Sequence, residues 1–367
     1  MTGDVKPLSR SYARFSPADV QPAGMLRIMR LKRKDKPEMN NITKQNGYLL
    51  EVDELKTYFA VRKGLLRRTV GYVRAVDGVT FRIAPGQSLG LVGESGCGKT
   101  TVARTIVRLI RPTAGGILFE RNDLLTAKGK QLRKLRTDIS IIFQDPYGSL
   151  NPRMTIGNII GEPLKVQRNI TGAKLAEKVT DLLEKVGLAP EHINRYPHEF
   201  SGGQRQRIGV ARALSLGPKL VICDEPVSAL DVSIQSQILN LLKDLQEEFN
   251  LTYLFIAHDL AVVQFFCDVV AVMYMGKIVE QADANQLYES PLHPYTRTLM
   301  AAIPNTGRRQ KEQRSCEQVE LPGGAEIERG CPFRPRCPLA DEQCLKVMPP
   351  LRQKGARGHL VACWRYQ

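Results

Sequence analysis

The stretch Gly93-Glu94-Ser95-Gly96-Cys97-Gly98-Lys99-Thr100 constrains the fold more than any other, because it matches G-x-x-x-x-G-K-[ST] in the setting that motif requires. Ser88 to Val92 reads as a short apolar strand before it, and Thr101 to Leu109 carries apolar residues at helical spacing after it. Strand, glycine-rich turn and helix in that order make a cradle for a polyphosphate. Gly93, Gly96 and Gly98 let the backbone N–H groups of the turn point inward, and the helix adds the positive end of its dipole. Glu94, Ser95, Cys97 and Thr101 complete the wrapping segment. Lys99 would reach the β- and γ-phosphates and the Thr100 hydroxyl a Mg²⁺ ion.

Elsewhere the chain alternates short apolar runs with helical patterns. Leu49, Leu50, Val52 and Leu55 begin a strand, and Val73 to Ile83 reads as its hairpin partner across an exposed loop at Arg62 to Arg68. Phe59, Tyr58 and Tyr72 are candidates to stack on a purine, with packing an equal reading for each. Gly116 to Phe119 reads as a strand, Lys130 to Arg136 as a short basic helix, and Ile139 to Phe143 as a strand ending at Gln144. Ligands of open parallel sheets gather beyond the strands' carboxyl ends, which puts Gln144 within reach of the phosphates. Thr155 to Val166 and Lys174 to Val186 read as helices of an insertion broken by Gly187, Pro190 and Pro197. Ser201-Gly202-Gly203-Gln204 then opens a further helix as a second anion site, with a hydroxyl, bare N–H groups and a positive dipole end. Leu220 to Cys223 is a buried strand with Asp224 and Glu225 at its carboxyl end, where an acidic pair calls for Mg²⁺ and a base. Ser228 to Asp231 turns into a helix through Glu248. Thr252 to Ile256 is another buried strand, with His258 just past it as a phosphate contact. Val269 to Met275 and Lys277 to Glu280 are expected to close the sheet as a hairpin at Gly276.

Hydrophobic residues make up 43% of the chain and charged ones 25%, the balance of a globular protein with its own core. No uninterrupted apolar run reaches the ~18 residues of a membrane span; Leu251 to Met275 is broken by His258, Asp259, Gln264 and Asp268. The first 25 residues lack the order of a signal peptide, so a cytoplasmic location is expected. The net charge of +16 raises the question of nucleic acid, and its distribution answers it. Residues 1–46 hold 10 basic and 4 acidic side chains, residues 305–367 hold 12 and 7, and the 258 residues between them carry only +5. An excess that lies mostly in the tails favours solvated or membrane-surface segments over a basic groove, and no nucleic-acid partner is expected. Residues 1–46 read as a basic, disordered leader, of which Arg27 to Lys36 could also meet anionic headgroups.

With these motifs in this order, residues 47–304 resemble the ATP-binding subunits of ABC transporters. The resemblance implies an α/β fold: a P-loop NTPase ABC cassette over 47–288, with a RecA-like parallel sheet core, an antiparallel β subdomain and a helical subdomain at about 147–215. It implies ATP and Mg²⁺ as ligands. Carried over by position, Gln144 senses the γ-phosphate and Mg²⁺ and contacts the membrane subunit. Ser201, Gly202, Gly203 and Gln204 are the signature that closes on ATP held by the opposite subunit. Thr100, Gln144 and Asp224 hold Mg²⁺, Glu225 is the general base, Asp231 belongs to the D-loop, and His258 is the switch histidine. Phe59 best fits the aromatic that stacks on adenine, and Phe200 replaces the commoner Leu before the signature. The implied partners are two integral membrane permease subunits, a second ATPase subunit that is identical or a paralogue, and indirectly a substrate-binding protein. The implied location is peripheral, on the cytoplasmic face of the inner membrane.

Residues 289–367 go beyond an ordinary cassette. Ser290-Pro291-Leu292-His293-Pro294-Tyr295-Thr296 and the apolar helix to Ile303 resemble the C-terminal extension of dipeptide and oligopeptide importer ATPases. Importers of nickel, glutathione or other small solutes are the related alternative, and a non-transport ABC ATPase the more distant one. Five of eight cysteines fall in the last 52 residues, and Cys331, Cys337, Cys344 and Cys363 follow the spacing C-x5-C-x6-C-x18-C. A segment with so few apolar residues needs a metal or disulfide to hold it, and disulfides are disfavoured in a reducing cytoplasm. Four thiolates suit either Zn²⁺ or an iron–sulfur cluster. The resembled ATPases carry a [4Fe–4S] cluster at such cysteines, so the cluster is the expectation, with Zn²⁺ the alternative and free thiols a third reading. Cys97, Cys223 and Cys267 read as packing residues.

Overall fold

The computed structural model describes residues 47–64, 68–145, 147–302, 329–355 and 358–367. The basic leader, residues 65–67 and Cys316 lie outside the described residues. Leu50–Lys63 (β1) and Arg68–Ile83 (β2) pair antiparallel, and Ser88–Val92 (β3) leads to the helix Lys99–Ile106. Ala114–Phe119 (β4) and Asn122–Asp123 (β5) complete a sheet of order β2-β1-β4-β5. A larger sheet takes in β3 together with Ile139–Ile142 (β6), Leu220–Asp224 (β7), Thr252–Ala257 (β8), Val269–Tyr274 (β9), Lys277–Asp283 (β10), Arg352–Lys354 (β11) and His359–Val361 (β12). Among the described residues its order is β11-β12-β10-β9-β3-β8-β7-β6, and the run from β9 to β6 is parallel.

The parallel strands read as continuous apolar runs because both of their faces are covered. Leu89 and Leu91, Leu220 and Ile222, and Leu254 and Ile256 face one core, shared with the antiparallel sheet and with Val102 and Ile106 of the first helix. Val221 and Cys223, and Tyr253 and Phe255, face a second core, shared with Ile160 of the helix Ile156–Arg168, Val179 of Gly172–Lys185, Ile208 of Gly202–Leu214 and Leu242 of Val232–Phe249. Two-sided burial fixes the sheet rigidly, and its carboxyl edge inherits that rigidity. Among the described residues no helix is long and apolar enough to cross a membrane.

Two sequence expectations need correction. The segment Arg62 to Arg68 is not simply a loop: the strands run on to Lys63 and start again at Arg68, forming a long two-stranded arm. The outer part of that arm is solvent-exposed on both faces, so it carries no apolar alternation to be read. Nor does the hairpin at Gly276 close the sheet. β12 pairs with β10, Glu280 opposite Val361 and Gln281 opposite Leu360, and three residues are too few to show a period.

The C-terminal residues are thus welded to the sheet. Tyr274 at the end of β9 packs on Tyr295 of the helix Pro294–Ala301, ring centroids 4.5 Å apart, and edge-on against Phe333 at 5.3 Å. Glu280 is fully buried, and its carboxylate accepts from the N–H groups of Leu292 (2.7 Å) and His293 (2.9 Å), with His359 Nε2 at 2.7 Å. Several donors on one carboxylate offset the cost of burying its charge. Trp364, the single tryptophan, donates its indole N–H to Val347 O and reports on this region. Phe333→Ala removes a ring that is 1% exposed and is expected to destabilise the region by about 3–5 kcal/mol. Guanidinium unfolding followed by Trp364 fluorescence should show a lower midpoint; an unchanged midpoint would deny Phe333 that role.

Candidate active site

The phosphate loop leaves β3 at Gly93 and enters its helix at Lys99. It passes so close to its neighbours that two positions admit no side chain. A Cβ on Gly93 would lie 2.1 Å from the carbonyl oxygen of Met273, and one on Gly98 2.0 Å from that of Ala75. Gly98 also has φ 109°, a backbone conformation that L side chains rarely adopt. No side chain caps the helix, so its first-turn N–H groups remain available to an anion. Lys99 is only 4% exposed, and its ammonium donates to the carbonyls of Gly93 (2.7 Å) and Glu94 (3.0 Å). Cys97 is buried beside it, and burial pushes its thiol up.

The sheet order lines up the other groups. The Thr100 hydroxyl donates to Asp224 Oδ1 at 2.9 Å, joining the start of the helix to the end of β7. Asp224 is 2% exposed, and its burial raises the carboxyl pKa. Glu225 takes a left-handed turn (φ 49°) while its N–H bonds Ile256 O in β8 at 3.0 Å. That turn sends its side chain across the strand ends. Glu225 Oε2 accepts from Gln144 Nε2 at 2.9 Å and lies 3.2 Å from His258 Nδ1. One carboxylate oxygen therefore gathers groups from beyond β6, β7 and β8.

Among the described residues the remaining candidates share no hydrogen bond with this cluster. Ser201 caps the helix Gly202–Leu214 in a reciprocal box: its hydroxyl accepts from Gln204 N (3.4 Å), and its own N–H bonds Gln204 Oε1 (3.0 Å). A Cβ on Gly203 would meet Ile234 at 2.5 Å, so the signature rests against the helix that Asp231 caps by accepting from Ile234 N. Among the described residues no hydrogen bond joins Ser201–Gln204 to the phosphate loop. Tyr58 donates its hydroxyl to Asp77 (2.6 Å), with desolvation the first cause of a pKa pushed up to about 12, whereas Phe59 is 42% exposed. Of the aromatic candidates Tyr58 is thereby engaged within the fold.

A family model described as ABC transporter matches residues 76–228, and one described as the C-terminal region of oligopeptide/dipeptide transporters matches 279–344. The oligopeptide transport ATP-binding protein AppF of Bacillus subtilis is 52% identical over 87% of this chain and 97% of its own length. OppF of Escherichia coli, an oligopeptide transport ATP-binding protein, is 49% identical over 89% of this chain and 98% of its own. The chain belongs to the ATP-binding proteins of the ABC transporter family. Solved structures agree on the ABC cassette fold. CbiO1 of Clostridium perfringens, part of the transporter complex CbiONQ, aligns at 27% identity and TM-score 0.56, over 66% of this chain and 91% of that one. The cassette MJ0796, in a dimeric post-hydrolysis state bound to ADP and Pi, aligns at 26% and 0.57, over 64% and 98%.

Cys331, Cys337, Cys344 and Cys363 line one pocket with His293, Phe333 and Trp364, and all four are free thiols. Burial pushes the Cys331 thiol up to about 11 and raises the other three. Among the described residues no three His, Cys, Asp or Glu side chains are arranged to hold one metal ion. Cys97, Cys223 and Cys267 are buried in the two cores. Two contacts on the phosphate loop escape sequence reading, because they come from 201 and 242 residues away: Tyr295 and Arg336, both on Glu94. In this ABC ATPase the crowded backbone at Gly98 makes Gly98→Ala the most telling small change. It is expected to cost about 1–3 kcal/mol of stability and to weaken ATP binding at least ~10-fold, because the cradle cannot hold its curvature. Thermal unfolding and equilibrium binding of a fluorescent ATP analogue check both.

Proposed function

We propose that this chain is the ATP-hydrolysing subunit of an oligopeptide import system, seated peripherally on the cytoplasmic face of a membrane against two integral permease subunits. The names of its relatives favour peptide import over nickel, glutathione or non-transport roles. Residues 47–288 would be the cassette and 289–367 an extension of the peptide-importer type, in keeping with the match at 279–344. The observation that carries the reading is Glu225 Oε2, shared between Gln144 and His258 beside the Lys99, Thr100 and Asp224 group.

The chemistry follows from those positions. ATP lies with its phosphates along the turn 93–101 and its adenine toward Phe59 on the β1–β2 arm. Lys99 turns from the two carbonyls to the β- and γ-phosphates and meets charge that grows there in the transition state. Thr100, Asp224 and Gln144 are oxygen donors suited to Mg²⁺, which when bound would neutralise the phosphate oxygens. Glu225 orients the attacking water and accepts its proton, and His258, hydrogen-bonded to Glu225, steadies the γ-phosphate. Gln144 joins this site to the permease side.

Each chain also carries a signature, Ser201–Gln204, that is not bonded to its own phosphate loop. Two cassettes, the second identical or a paralogue, would pack head to tail so that the signature of one covers the ATP held by the other. The cassette MJ0796 among the similar structures is dimeric, in keeping with two cassettes acting as a pair. A substrate-binding protein would deliver the peptide outside, and no nucleic acid is involved.

We infer that Cys331, Cys337, Cys344 and Cys363, which line one pocket, would hold a [4Fe–4S] cluster, with Zn²⁺ as the alternative. A cluster there would tie three stretches of the extension with covalent metal–sulfur bonds.

Glu225→Gln should lower ATP hydrolysis at least ~10²-fold in the assembled complex while sparing ATP binding. Near-normal turnover would remove Glu225 as the base. Protein purified without oxygen should contain iron and acid-labile sulfide in equal amounts, and stoichiometric zinc without sulfide would exclude the cluster.

A further inference from the structure

Glu94 is the second residue of the phosphate loop, and its three polar groups are all engaged. Its carbonyl accepts from Lys99 Nζ at 3.0 Å, inside the loop. Its N–H donates to the Tyr295 hydroxyl at 2.9 Å. Its carboxylate accepts a fork from Arg336, Nη1 to Oε2 at 2.9 Å and Nη2 to Oε1 at 3.0 Å. Two of these three groups are therefore engaged from the C-terminal region, and both partners are firmly set. Tyr295 is fully buried and packs on Tyr274 and Phe333. Arg336 lies over the Phe333 ring at 5.8 Å, one residue before Cys337.

A carboxylate on a phosphate loop is an electrostatic liability, because a triphosphate brings several negative charges into the same small space. A guanidinium is permanently charged, and its planar fork both cancels a carboxylate and fixes its direction. The Arg336 and Glu94 side chains are 16% and 31% exposed, so solvent screens their attraction only in part.

We propose that Arg336, supported by Tyr295, is a positioning residue for the phosphate loop: it neutralises Glu94 and holds its backbone, so that the C-terminal extension sets the affinity of the loop for nucleotide phosphates. The inference rests on the ATP-binding reading above. By reciprocity, whatever loosens the segment around Cys337 also loosens the grip on ATP, and ATP in turn steadies that segment.

The test is equilibrium binding of a fluorescent ATP analogue with Mg²⁺ to the full chain. Arg336→Ala is expected to bind roughly tenfold more weakly, because Glu94 is left as an unpaired carboxylate facing the phosphates. Arg336→Lys keeps a charge but loses the fork and should fall between the two. The double variant Glu94→Gln with Arg336→Ala is expected to return to within about threefold of the parent, since no unpaired charge remains. Trp364 fluorescence monitors whether the extension stays folded in each variant. Parental affinity in Arg336→Ala overturns the proposal, as does a double variant no better than the single. If the unaltered chain fails to bind ATP, the ATP-binding reading itself falls, an outcome distinct from either.

Discussion

A lysine with 4% of its surface exposed must have its charge met, and the Lys99 ammonium meets the carbonyls of Gly93 and Glu94 and the Cys97 sulfur at 3.7 Å. Much of the local structure serves this one ammonium. Carbonyls can reach it only if the chain curls through a full turn between β3 and the helix, and that curl runs so close to Met273 and Ala75 that glycine is required at both approaches. The turn stands still because β3 lies between β9 and β8 in the middle of a sheet covered on both faces. The neighbouring strands end at the same edge, so Asp224, Glu225, His258 and Gln144 are delivered to the loop by sheet order alone.

Sequence reading located β3, β7 and β8 to within a residue at either end, because strands buried on both faces leave uninterrupted apolar runs between polar stops. It could also name the residue types that follow those strands. It could not reveal that Gln144 and His258 share one oxygen of Glu225, since the spatial order β3-β8-β7-β6 reverses the chain's own. The exposed arm of β1 and β2 escaped for lack of a buried face, and β12 for lack of length. Nor could local pattern choose between Tyr58 and Phe59. The Tyr58 hydroxyl is turned onto Asp77, itself tied to Lys277 at 2.7 Å, and only the packed fold makes that visible.

The C-terminal region looks peripheral by composition, with prolines, arginines and few apolar residues, yet it is bound by interactions that composition hides. β12 covers the edge of β10, which removes an exposed strand edge and its tendency to pair with other chains. Glu280 is the hinge of that attachment. A carboxylate sealed from water is tolerated only with its donors in place, and Leu292, His293 and His359 supply them from two separate stretches. The tail must therefore be docked for the edge strand to be satisfied. The same docking carries Tyr295 and Arg336 to Glu94.

The separation of the two anion sites gives the proposed pairing its physical logic. Ser201 and the helix it caps are braced by Ile234 and by the helix that Asp231 starts, so the signature has a fixed direction and is not bonded to its own phosphate loop. Each chain then offers one half-site with a buried ammonium and a carboxylate cluster, and another with a hydroxyl and a helix dipole. In the proposed head-to-tail arrangement the charge of the nucleotide would be what both halves lack, so ATP would hold the pair together, and cleavage of the γ-phosphate would withdraw the reason for contact. Arg336 fits the same logic from the other side. By cancelling Glu94 it would remove a charge of the wrong sign from the phosphate-loop half-site, leaving the attraction between the two halves to depend on the nucleotide rather than on the loop.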